Sequence, residues 1–189
     1  MKGKSFLILS LCFVFFTTLI MNGCSENFLS SPTEPVASIG IHVNDIQWAP
    51  VKADFIGKLK VLEKSTIAGK TIVASNGGTV GGEKTFNNWV TFPPNALSEN
   101  TYVTVEVICE DNFVCVEFLP SGTFNDYVDI TLSWEQLDVD EPTIADLNIY
   151  FSRDDGNYWF PIDSEPVINY DNKTVTFKTN HFTRYGWGI

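Results

Sequence analysis

The stretch Val103-Thr-Val-Glu-Val-Ile-Cys109, Glu110-Asp-Asn-Phe113, Val114-Cys-Val-Glu-Phe-Leu119 decides the fold class. Valine recurs at every second position of the first run, the period of a strand whose alternate side chains enter a core. A short polar segment follows, then a second β-branched and aromatic run. Strand, turn and returning strand make a hairpin.

The same grammar repeats on both sides. Lys70-Thr-Ile-Val-Ala-Ser75 stops at Asn76-Gly77-Gly78, and Asn88-Trp-Val-Thr-Phe92 stops at Pro93-Pro94. The turn-rich Pro120-Ser-Gly-Thr-Phe-Asn125 precedes a strand at Asp129-Ile-Thr-Leu-Ser-Trp134. Leu147–Ser152 and Tyr158–Phe160 flank Arg153-Asp-Asp-Gly-Asn157, where Gly156 can take a positive φ; Val167–Tyr170 and Thr174–Thr179 flank Asp171-Asn-Lys173. No long helical period competes. Before Ser75 the pattern is weaker: Ile39 to Val43, Asp54 to Leu62 and Thr66-Ile67 read as edge strands or a short helix. Many short strands at this spacing predict an all-β protein, an antiparallel β-sandwich or barrel.

The chain's beginning is an address rather than part of that body. Lys2 and Lys4 precede an apolar run from Phe6 to Met21, an export segment shorter than the roughly 20 residues of a spanning helix. It ends in Met21-Asn22-Gly23-Cys24, which resembles the lipobox of bacterial lipoproteins, with a small residue before the cysteine that receives diacylglycerol. The competing reading is an ordinary secretory signal with an incidental cysteine. The resemblance implies a cleaved signal over residues 1–23, lipidation of Cys24, and stable membrane anchoring, since several acyl chains exceed the two signals that anchoring needs. Ser25 stands where inner-membrane retention signals show Asp, so the resemblance implies the outer membrane. Residues 24–38 contain two prolines, several serines and little to bury, a flexible tether.

The formal charge is −11, and it becomes two units more negative without Lys2 and Lys4. So acidic a surface disfavours nucleic acid and anionic headgroups. A hydrophobic content of 44% with fifteen Phe and five Trp suffices for one core. Of four cysteines, Cys12 leaves with the signal and Cys24 carries lipid, so Cys109 and Cys115 are candidates for one disulfide in an oxidising compartment. Placing them opposite each other sets Glu117 on the face shared by Val105 and Val107. Either a bulge shifts the register or the cysteines are not opposite. No second Cys or His pair accompanies them for a metal.

A second resemblance covers residues 76–189. Gly77-Gly78-Thr79-Val80, Trp89-Val-Thr-Phe-Pro93-Pro94-Asn95-Ala96-Leu97-Ser98-Glu99-Asn100-Thr101, Val103-Thr-Val-Glu-Val107, Phe118-Leu-Pro120-Ser-Gly122-Thr-Phe124 and Thr179-Asn180-His181-Phe182-Thr183-Arg184-Tyr185 together resemble the ZU-five domain of netrin receptors, ankyrins and bacterial surface proteins. It implies a β-sandwich, with residues 39–75 packed on or preceding it. The family shows Gly where Asn95 stands, and Asn accepts a left-handed backbone best among the other residues.

The resemblance also implies a candidate chemistry, because some relatives cut themselves at His-Phe-Ser and the adhesion-receptor autoproteolysis domain at His-Leu-Thr or His-Leu-Ser. Carried over to His181-Phe182-Thr183, the Thr183 hydroxyl attacks the Phe182 carbonyl, His181 takes its proton, and water hydrolyses the ester. Val175 and Phe177 share a phase with Tyr185, Trp187 and Ile189 only if Phe182 interrupts it, so the strand bends between Asn180 and Arg184. The structural alternative is a bulge in which Phe182 plugs the core.

Other chemistries lack residues. Only His42 and His181 are present, with no glycine-flanked serine and no phosphate-cradling loop. Asp138/Asp140 and Asp154/Asp155 follow no calcium-loop spacing and read as turn residues. No cofactor is expected. Trp48, Trp89, Trp134, Trp159 and Trp187 raise sugar stacking, although Trp89, Trp134 and Trp159 lie in strand patterns that favour the core. The sequence thus implies a non-enzymatic envelope lipoprotein, a structural or protein-interaction module; self-cleavage and glycan binding are the alternatives. Its partner is an unidentified envelope protein or a glycan.

Overall fold

The computed structural model describes residues 39–61, 66–110 and 113–189. The export segment, Cys24 and the tether lie outside the described residues. In chain order the elements are β1 (Ile41–His42), α1 (Ala53–Val61), β2 (Ile67–Ile72), β3 (Gly78–Gly82), β4 (Asn88–Phe92), β5 (Thr101–Cys109), β6 (Val114–Ser133), α2 (Glu141–Ile144), β7 (Asn148–Ser152), β8 (Tyr158–Pro161), β9 (Val167–Asn169) and β10 (Thr174–Gly188). The all-β antiparallel expectation holds: the strands form one ten-stranded sheet in which each pairing is antiparallel.

Two long strands give this sheet its form. Thr174 to Thr179 of β10 pair with Val128 to Ser133 of β6, beside β4-β3 and β9. Arg184 to Gly186 pair with Cys115 to Glu117, beside β5-β2 and β7-β8-β1. Hydrogen bonding is therefore continuous between two wings, and inward residues of both, such as Val105 and Phe118 from one and Val90 and Ile130 from the other, share one buried cluster. The segment Pro120–Asn125, expected as a turn, is instead the middle of β6. Its proline sits where the ladder is interrupted, the place a strand tolerates it, and Gly122 pairs with Phe182 between two register slips.

The disulfide expectation is corrected. Val105 pairs with Phe118 and Val107 with Val116, which keeps Glu117 opposite Glu106 on the outer face. That register sets Cys109 across from Val114 and Cys115 across from Ile108, so alternation sends the two sulfurs to opposite faces. Cys115 is a buried free thiol, its pKa pushed far up by burial. Alkylation of the native protein is expected to spare Cys115 and to reach it only in denaturant, as peptide mass mapping would report. Labelling in native buffer would contradict this burial.

Cys115 belongs to a second, smaller core with Ile46, Phe113 and Trp159. The segment before α1 covers it. Trp48 stacks on Phe113 with centroids 3.9 Å apart and meets Trp159 edge-on at 4.9 Å, while the Ala49 N–H donates to the Trp187 carbonyl at 2.9 Å and the Ile189 N–H to the Gln47 carbonyl at 2.7 Å. Gly186 has no side chain because a Cβ there would press on the Trp48 ring at 3.0 Å. Of the open readings for Asp54 to Leu62, the helix is the one formed. Phe55 and Leu59, one turn apart, enter the main core, and Lys58 pairs with Asp54 in solvent.

Two asparagines carry much of the local geometry. Asn95 adopts a left-handed φ of 66°, which asparagine accepts best among residues other than glycine. Asn88 is fully buried; its Nδ2 donates to the carbonyls of Thr85 (2.7 Å) and Phe86 (3.3 Å), and its Oδ1 accepts the Ser133 N–H at 2.8 Å. It thereby fastens the start of β4 to the end of β6.

Candidate functional site

The middle of β10 bends where the phase of its apolar residues breaks. Register slips between Thr179 and His181 and again between Phe182 and Arg184, with His181 facing Thr123 and Phe182 facing Gly122. The double slip turns Phe182 inward. Its ring lies 5.4 Å from Phe92, 5.5 Å from Phe118 and 4.6 Å from Phe124, so the residue that interrupts the sequence period fills the core at the joint between the wings.

The bulge is tied down by hydroxyls. The His181 N–H donates to Thr179 Oγ1 at 3.3 Å, and the His181 carbonyl accepts from the Tyr185 hydroxyl at 3.1 Å and from Thr179 Oγ1 at 3.3 Å. Burial raises the Tyr185 pKa, which keeps that donor protonated. The His181 imidazole packs 4.9 Å from the Phe151 ring. Burial first, then the positive charge of Arg153, lower its pKa, with Asp163 opposing, so the ring is neutral at neutral pH. Its Nδ1 is buried without a hydrogen-bond partner among the described residues. Thr183 is buried as well, but no hydrogen bond links its hydroxyl to His181 among the described residues. The three residues are adjacent in sequence without forming a joined nucleophile and base.

Two cavities meet at this bulge. One of about 220 Å³ is walled by Phe151, Phe177 and Tyr185. The other, of about 360 Å³, lies between the middle of β6 and β10. Arg153, Asn180 and His181 border both. Arg153, in the β7-β8 loop, holds its guanidinium over the Phe151 ring at 5.1 Å. The sequence reading treated that loop as turn chemistry and missed Arg153; what marks it out is the cavity border it shares with Asn180 and His181 of β10.

A second missed residue is Arg184, on the outer face of β10. Its Nη2 lies 2.9 Å from Glu117 Oε1 and its Nη1 lies 3.3 Å from Glu110 Oε1. Glu106 beside them has a raised pKa, first through burial and then through repulsion by Glu117, against the pull of Arg184.

The acidic pairs serve turns. Asp154 Oδ1 accepts the Ser152 hydroxyl and the Tyr158 N–H, both at 2.9 Å; the Tyr158 N–H is the main cause of a carboxyl held below the usual range. Asp140 accepts the Thr143 hydroxyl at the start of α2. No group of three or more His, Cys, Asp or Glu positioned for a metal occurs among the described residues. Of the tryptophans, Trp134, Trp159 and Trp187 are core residues, Trp48 covers the smaller core, and Trp89 is half-buried. No protein-family model matches the chain, and no curated protein matches it.

Proposed function

We propose that this chain is a bacterial envelope lipoprotein held by lipid on Cys24, in the outer membrane, whose ZU-five-like β-sandwich acts as a non-enzymatic structural or protein-interaction module. The lipobox-like ending of the apolar leader supports the anchor. The observation that carries the interaction reading is the outer face of β2, β5 and β6. Ile67, Tyr102 and Leu119 are all exposed there, on neighbouring register positions. Tyr102 lies across Gly69, where a Cβ would run into its hydroxyl. Apolar side chains gathered on one strand face and left in water suit a protein partner.

Within this reading the His181-Phe182-Thr183 bulge is a structural joint, as the packing of Phe182 and the hydroxyl ties of His181 favour. Intact mass spectrometry of the mature protein from its native membrane tests anchor and joint together. The expected product begins at an acylated Cys24 and extends through Ile189. Loss of Thr183 to Ile189, abolished by Thr183→Ala, would replace the module with a self-cleaving domain, and an acyl-free product would remove the anchor.

A further inference from the structure

The larger cavity at the β10 bulge has a lining unlike the rest of the surface. The chain carries 23 acidic residues and a charge of −11, yet among the described residues no carboxylate borders this space. It is bordered instead by Arg153, His181, the Asn180 amide and the hydroxyls of Ser121, Thr123 and Thr183. Of the chain's two arginines, Arg184 meets Glu117 at 2.9 Å. Arg153 forms no ion pair and no hydrogen bond among the described residues; its contact is the Phe151 ring, 5.1 Å away. That stacking positions the guanidinium while leaving its fork of donors unused. Asp163, the acid whose charge acts on His181, borders the neighbouring cavity and not this one.

We propose that this cavity is a binding site for a sugar acid, a monosaccharide-sized carboxylate rich in hydroxyls. The guanidinium of Arg153 takes the carboxylate, a pairing that its planar fork favours. Ser121, Thr123, Asn180 and Thr183 offer donors and acceptors beside the apolar wall of Phe182, the mixed complement of a sugar ring with its hydroxyl edges and C–H face. His181, half-buried, borders the same space. A volume of about 360 Å³ is at the small end of ligand sites, where one sugar ring fits. The site is separate from the Tyr102 face and does not depend on the lipoprotein reading.

The test uses the mature chain, isotope-labelled at histidine, titrated with glucuronate and followed by NMR. His42, which lies on β1 against Tyr158, serves as the internal reference. Glucuronate is expected to shift the His181 signals saturably and leave His42 unmoved. Glucose, which lacks the carboxylate, and acetate, which lacks the hydroxyls, should each bind at least about tenfold more weakly. Arg153→Gln should weaken glucuronate by roughly tenfold to a hundredfold; because Arg153 is exposed, the variant keeps the native His42 signal. No response of His181, equal binding of glucose or acetate, or full affinity in Arg153→Gln would overturn the assignment.

Discussion

Replacing Phe182 by alanine is expected to lower the free energy of unfolding by about 3 to 5 kcal/mol, the range for deleting a buried aromatic ring. Phe182 is 3% exposed and its neighbours come from two strands, Phe92 from β4 and Phe118 and Phe124 from either end of the β6 bend. Those strands cannot both collapse into the space left behind, which places the cost toward the upper end. Phe182→Leu, which keeps most of the volume, should cost about 1.5 kcal/mol or less. Urea denaturation of the two variants checks the ratio. If alanine and leucine cost the same, the ring is not packed as described and the bulge has no structural reason to turn inward.

The second large effect concerns hydrogen bonds. Asn88→Leu removes one acceptor and two donated bonds at once, leaving the Ser133 N–H and the Thr85 and Phe86 carbonyls without that partner. Each unpaired buried group costs about 1 to 3 kcal/mol, so a total loss of about 4 kcal/mol is expected despite the added apolar surface. Hydrogen exchange localises the effect: the Ser133 amide, protected in the parent, should exchange at least about tenfold faster in the variant. An unchanged Ser133 amide would mean that Asn88 is not its acceptor.

How much of this was legible beforehand follows from the range of each interaction. The hairpin at Val103 to Leu119 was readable because alternation is local, and even the objection to the disulfide was local, since Glu117 could not share a face with Val105. The bend at Phe182 was visible as a break in phase for the same reason. The continuity of β6 through Pro120 to Asn125 was not, because the partner that carries it, His181-Phe182 on β10, lies far along the chain. The place of Trp48 was not legible either, since its partners Phe113 and Trp159 are equally remote. Arg153 sat in a loop whose sequence says turn, and only the approach of Asn180 and His181 from another strand gives it a site. The short helix at Ala53–Val61 stayed ambiguous because a pair of apolar residues one turn apart is too brief a signal against strand neighbours.

The lid over the smaller core joins two segments far apart along the chain. The Trp187 carbonyl receives the Ala49 amide, and closing so long a loop is slow. Before Trp48 docks, Trp159 and Phe113 lack their cover, and the chain displays an aromatic surface of the kind that holding chaperones bind. Closing the lid hides the feature by which the unclosed chain would be recognised.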